Sequence, residues 1–79
     1  MTVYVDESQW KFRRMVCCHM MADSLDELHE MASAIGMKRE WFQDGRYPHY
    51  DVSKSRRAVA VELGAVEVSS RDLIRMFKP

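Results

Sequence analysis

Two intervals of equal length organise this chain. Asp23 precedes a helix-patterned segment that stops at Gly36, and Asp51 precedes another that stops at Gly64. Each interval is thirteen residues, the units are offset by twenty-eight, and "AIGM" and "ELGA" fall at matching places. Two units are too few for a solenoid. They read instead as two strand-to-helix connections of one α/β sheet, each with an aspartate at the strand's end. In "SLDELHEMASAIG", Ser24 and Glu27 make a capping box, Leu25, Leu28, Ala32 and Ile35 share one face, and Gly36 is the stop. "VSKSRRAVAVELG" is a second helix, and "SSRDLIRMFKP" a third behind a serine cap. "TVYV" ending at Asp6, "MVCCHMM" and "AVEV" read as strands. "ESQWKFRR" and most of "MKREWFQDGRYPHYD" read as loop, with "EWFQ" as a brief strand. The expectation is one α/β domain over residues 1–79, in two or three layers, with three to four short, mostly parallel strands and about three helices.

The size sets limits on that fold. A chain of 79 residues buries only about 60% of its unfolded surface, so a homodimer that shares a core is a consistent arrangement. Apolar residues at 47% and charged residues at 30% are a globular balance. No run approaches the roughly 18 apolar residues of a membrane helix. "MTVYVDESQW" lacks a basic region followed by an apolar one, so a cytoplasmic protein is expected. Cys17 and Cys18 are adjacent, and neighbours on a strand point to opposite faces, which does not suit an ordinary disulfide. They read as reduced, buried, structural thiols. Net charge is zero, so no long-range field recruits nucleic acid. Residues 38 to 57 nevertheless carry six bases against three acids, a local bias compatible with an anionic ligand.

In open α/β sheets, ligands bind beyond the carboxyl ends of the strands. Asp6, His19, Asp23, Asp51 and the segment 69–72 are expected at that edge. His49 and Asp51 stand at i and i+2, on one face of an extended segment, with Lys54 and Arg56 in the next helical turn. Carboxylates with a histidine can hold a divalent metal that activates water against a phosphoester. On that reading Asp6, Asp51 and Asp23 hold the metal, His19 or His49 acts as acid or base, and Arg56 neutralises a phosphate. It requires His19 and His49 to lie within about 12 Å, the reach of one metal or small substrate. Alternatively Lys54, Arg56 and the tyrosines, Tyr50 among them, bind a phosphate-bearing small molecule or nucleic acid, with Trp41 stacking on a base. Structural roles compete: Asp23 and Asp51 as helix caps, His19 as a core histidine, Trp41 and Phe42 as core aromatics. There is no HExxH, phosphate loop, CxxC pair or GxSxG.

The succession "VYVD", "CCHMMADSLDELH", "WFQ" and "HYDVSKSRRAVAVELGAVEV" resembles a family of short bacterial and phage proteins catalogued only as a domain of unknown function, number 4031. The resemblance runs roughly from Val3 to Val68. It implies that His19, Asp23, Trp41, Gln43, His49, Tyr50, Asp51 and Arg56 are family-type positions, and it implies no activity. A weaker likeness is to PIN-like nucleases, whose early and late acidic strand ends match Asp6 and Asp72. Three function classes remain: an enzyme, metal-dependent on the reading above, that processes a phosphoester or nucleotide; a non-catalytic module that binds a phosphate-bearing ligand or nucleic acid through Arg56, Lys54 and the tyrosines; and a compact phage or bacterial interaction protein that binds a host protein.

Overall fold

The fold follows from which strand residues are buried. In a computed structural model, which describes residues 2–7, 10–12 and 15–77, five strands form one sheet. They are β1 (Val3–Asp6), β2 (Trp10–Phe12), β3 (Met15–Ala22), β4 (Tyr50–Ser53) and β5 (Val66–Val68). The helices are α1 (Leu25–Ala34), α2 (Lys54–Glu62) and α3 (Ser70–Phe77), with a 3-10 turn at Arg39–Trp41.

β3 is the central strand. Met20 lies opposite both Val5 and Tyr50, and Cys17 opposite both Trp10 and Ser53. β1 and β2 therefore follow one another along one edge of β3, while β4 lines the other. β5 extends the sheet beyond β1, and β1·β5 is the parallel pair among the described pairings; β3 runs antiparallel to β1, β2 and β4. The α/β class holds, but the expected mostly parallel sheet is mixed. The reason lies in the segment expected as loop, where Trp10–Phe12 pairs as a strand. β1 and β3 are thus antiparallel neighbours with no helix between them.

Period-two alternation sorts the side chains. Val3, Val5, Cys18, Met20, Tyr50 and Val52 face one side and form a single buried cluster with Leu28, Ala32 and Ile35 of α1 and Ala60 of α2. Asp6, His19, Met21 and Asp51 face the other side, which α3 partly covers through Leu73, buried, and Phe77, whose ring meets Tyr4 edge-on at 5.9 Å. The arrangement is three-layered: two helices, the sheet, one helix.

The local signals perform as physics requires. Ser24 Oγ accepts from Glu27 N at 3.3 Å, the N-cap half of the expected capping box, and donates to Glu27 Oε1 at 3.0 Å, a side-chain bond where the box has the Ser24 backbone N–H as donor. α1 and α2 stop at Gly36 and Gly64, at φ +83° and +109°, where a side chain would be strained. Leu25, expected on the buried face, is 48% exposed, because it opens the helix before the apolar stripe meets the sheet. α2 is capped by Ser53, which accepts from Arg56 N, not by Asp51, which belongs to β4.

Candidate functional site

The site is a product of register. Continuing the β1·β3 pairing by one step sets Asp6 opposite His19, and the β3·β4 pairing sets His19 opposite Asp51. Three polar side chains thus stand in one lateral row on the same face, at the ~4.8 Å spacing of neighbouring strands. His49, two residues before Asp51, shares that face.

Asp6 is the one buried charged residue among those described, at 1% exposure. The β1·β3 and β2·β3 registers differ by two residues, so the ladder is interrupted beside His19. Asp6 supplies what the interrupted ladder does not: its Oδ1 accepts from His19 N at 2.8 Å. Its Oδ2 accepts from His19 Nδ1 at 2.8 Å and from Ser70 Oγ of α3 at 3.1 Å. Burial alone would raise the carboxyl's pKa, but the bonds from His19 outweigh it and hold Asp6 below the usual value. The same bond to Asp6, working against burial, raises His19 above the ordinary histidine value.

Because a carboxylate can only accept, His19 Nδ1 carries the hydrogen and Nε2 is turned toward Asp51, whose Oδ1 lies 4.0 Å away. His49 is anchored likewise: its Nδ1 donates to the carbonyl of Tyr47 at 2.6 Å, and its Nε2 lies 3.3 Å from Asp51 Oδ1. The two imidazole rings are 5.4 Å apart, centroid to centroid, well inside the 12 Å limit. Gln43, brought alongside by a bridge to His49, donates its amide to Asp51 Oδ2. Asp51 Oδ1 is left buried with no hydrogen-bond partner. His19, His49 and Asp51 thereby offer three ligand atoms, all within 4.8 Å of one another.

Such a set suits a metal. Zinc-type bonds of about 2.0–2.1 Å place neighbouring donors about 3.3 Å apart, the His49-to-Asp51 separation; His19 Nε2, 4.0 Å from Asp51 Oδ1 and within 4.8 Å of the other donors, would have to move inward by roughly 1 Å. In both histidines Nδ1 is tied to an oxygen acceptor and Nε2 points inward, the arrangement in which an outer partner orients a metal-ligating imidazole. Among the described residues the set comprises two histidines and one carboxylate on one face, the ligand types of a facial metal triad. A cleft of about 220 Å³ adjoins the cluster, reached by His19, His49, Asp6 and Ser70.

The other expected residues lie elsewhere. Asp23 follows β3 at the opposite end of the sheet, about 13 Å along the strand from His19 at ~3.3 Å per residue, where its carboxylate accepts from Thr2 N at 3.0 Å. It is not brought together with Asp6 and Asp51. Asp6, expected to hold a metal, accepts hydrogen bonds from His19 and Ser70 and so orients the His19 imidazole. Arg56, expected to meet a phosphate, directs its guanidinium at the last carbonyls of α1, with Nε 3.3 Å from Ile35 O and Nη2 3.5 Å from Gly36 O. Lys54 is exposed at the start of α2. Trp41, read as core or base-stacking, is 43% exposed, with Lys38 and Arg56 over its ring at 5.6 and 5.7 Å. Tyr50 is buried in the core, and its hydroxyl meets His29 Nδ1 at 2.8 Å. Asp72, matched to PIN-like nucleases, is exposed in the first turn of α3. The Tyr47 carbonyl had no sequence signal as a member of the site. Ser70 lies in the segment 69–72 expected at the ligand edge with Asp6, His19 and Asp51, and the i, i+2 spacing of His49 and Asp51 pointed to their shared face.

The chain belongs to the family described as Protein of unknown function (DUF4031), whose model matches residues 3–79. That match supports the first resemblance and gives none to the PIN-like one. No curated protein and no solved structure matches the chain significantly. Among the described residues, no helix is long and apolar enough to cross a membrane.

Proposed function

We propose that His19, His49 and Asp51 bind one divalent transition-metal ion and that the protein uses it to hydrolyse a phosphoester. The observation that carries this reading is Asp51 Oδ1, buried without a hydrogen-bond partner and 3.3 Å from the Nε2 of His49, whose Nδ1 is held by the Tyr47 carbonyl. With the imidazole in its neutral form two acceptors would face each other there, and a buried unsatisfied oxygen costs about 1–3 kcal/mol. A cation between them removes that cost.

A bound ion supplies Lewis acidity and an activated water. The chain's own groups do the rest. Asp6 and the Tyr47 carbonyl hold the imidazoles in the ligating tautomer, and Gln43 occupies Asp51 Oδ2 so that Oδ1 faces the ion. The first turn of α3, which enters the cleft at Ser70, favours an anionic substrate group. Lys54 and Arg56 have no part in this scheme.

Melting of the chelator-stripped protein with Zn²⁺, Mn²⁺ and Mg²⁺ tests the reading. An ion at 100 times its Kd stabilises by about 2.7 kcal/mol, a rise of about 10 °C or more in a domain of this size. The rise should vanish in Asp51→Ala and His49→Ala, and the metal-loaded wild type should hydrolyse p-nitrophenyl phosphate. A wild type unmoved by every ion overturns the proposal. It would turn attention to a second reading, a non-catalytic module that takes nucleic acid or a host protein at exposed Trp41 between its two cations.

A further inference from the structure

The cleft beside the cluster offers an almost wholly apolar lining, with His19, His49, Asp6 and Ser70 among the residues that border it. Met21, two residues beyond His19 on the same face of β3, lies about 7 Å further along. Leu73 and Ile74 of α3 and Tyr47, whose carbonyl anchors His49, also line it. Leu73 is 1% exposed, and Ile74, at 44%, is open to solvent. The volume of about 220 Å³ is below the 300–1,000 Å³ of sites for drug-sized ligands, so it fits one ring, not an extended body. A thioether and a phenol beside aliphatic side chains suit the edge and face of an aromatic ring.

Resting on the metal reading above, we infer that the substrate is an aryl-type phosphoester: its phosphoryl group lies at His19, His49 and Asp51, and a single flat ring fills the cleft between Met21, Tyr47, Leu73 and Ile74. Substrates that carry only a polar or short aliphatic group leave that apolar lining wet and bind less tightly. Ile74 is on this view a specificity-determining residue that touches the ring and not the metal.

Phenylphosphonate and methylphosphonate, equal in charge and inert to hydrolysis, separate the two ideas. Their affinities are measured by calorimetry on the Mn²⁺-loaded protein, wild type and Ile74→Glu, with Mn²⁺ affinity measured first on each. The expected result is phenylphosphonate binding about 30-fold more tightly than methylphosphonate, the factor for burying one ring. Ile74→Glu should reduce that preference to less than threefold with Mn²⁺ affinity unchanged. Equal affinities for the two phosphonates, or a preference that survives Ile74→Glu, would overturn the ring-binding inference and leave the metal centre standing. A wild type that binds no Mn²⁺ would overturn both.

Discussion

Replacing Asp6 with asparagine tests the network from its buried end. The carboxylate accepts three hydrogen bonds, from His19 N, His19 Nδ1 and Ser70 Oγ. Asparagine keeps one acceptor. If its oxygen stays on His19 N, its amide nitrogen faces Nδ1, and two donors oppose each other unless the imidazole hydrogen moves to Nε2. A hydrogen bond to a charged group contributes about 1.5–3 kcal/mol, and the neutral amide recovers part of this by removing a buried charge. The expected net cost is about 2 kcal/mol, which in a domain of this size lowers Tm by about 8–16 °C. The second consequence is distinctive. A hydrogen on Nε2 removes that lone pair from the metal set, so metal affinity should fall about 10- to 100-fold. Urea unfolding in chelator and calorimetric titration with Zn²⁺ read the two effects separately, and Ser70→Ala, which removes one bond and no charge, serves as the control at about 1 kcal/mol with metal affinity kept. If Asp6→Asn unfolds within 0.5 kcal/mol of wild type (roughly the range for a substitution far from any special feature) and binds zinc equally well, Asp6 is not the group that orients His19.

Two further outcomes follow from the same reading. Arg56→Ala removes the guanidinium from the last carbonyls of α1 and should cost about 1 kcal/mol in urea unfolding while leaving metal binding intact; a selective loss of metal or phosphonate binding would show that Arg56 does reach the ligand. His29 is held below the ordinary histidine pKa by burial and by Arg39, so the unfolded chain binds its proton first. Its contribution is fully present above about pH 6.5 and is lost as the pH falls through the folded value. The difference in unfolding free energy between wild type and His29→Gln should therefore shrink from pH 7.5 to pH 5.5, and a difference that grows on acidification would contradict the assignment.

How much of this was legible beforehand depends on the range of the interaction. The N-cap at Ser24, the glycine stops at Gly36 and Gly64 and the apolar run of β3 are decided within a few residues by dihedral preference and periodicity, so the α/β class and the three helices could be read directly. So could the shared face of His49 and Asp51, which alternation alone guarantees. Asp23 and Asp51 show where such reading ends. They occupy matching places in two similar units, yet Asp51 lies within β4 and faces His19, while Asp23 lies past the far end of β3 beside Thr2. The difference arises because β3 runs antiparallel to both β1 and β4, and direction is set by which strands pair and not by any local pattern. Register made the site: a one-residue slip of β4 against β3 would turn Asp51 into the core and Val52 toward His19. By itself the sequence determined the three helices, the glycine stops of α1 and α2, and the strands β1, β3 and β5. Trp10–Phe12 and Tyr50–Ser53 became strands through pairing with β3, and "EWFQ", read as a strand, overlaps a 3-10 turn. Only the tertiary structure decided that Asp6, His19 and Asp51 form one row and that Arg56 serves α1, because these depend on the pairing of segments up to tens of residues apart.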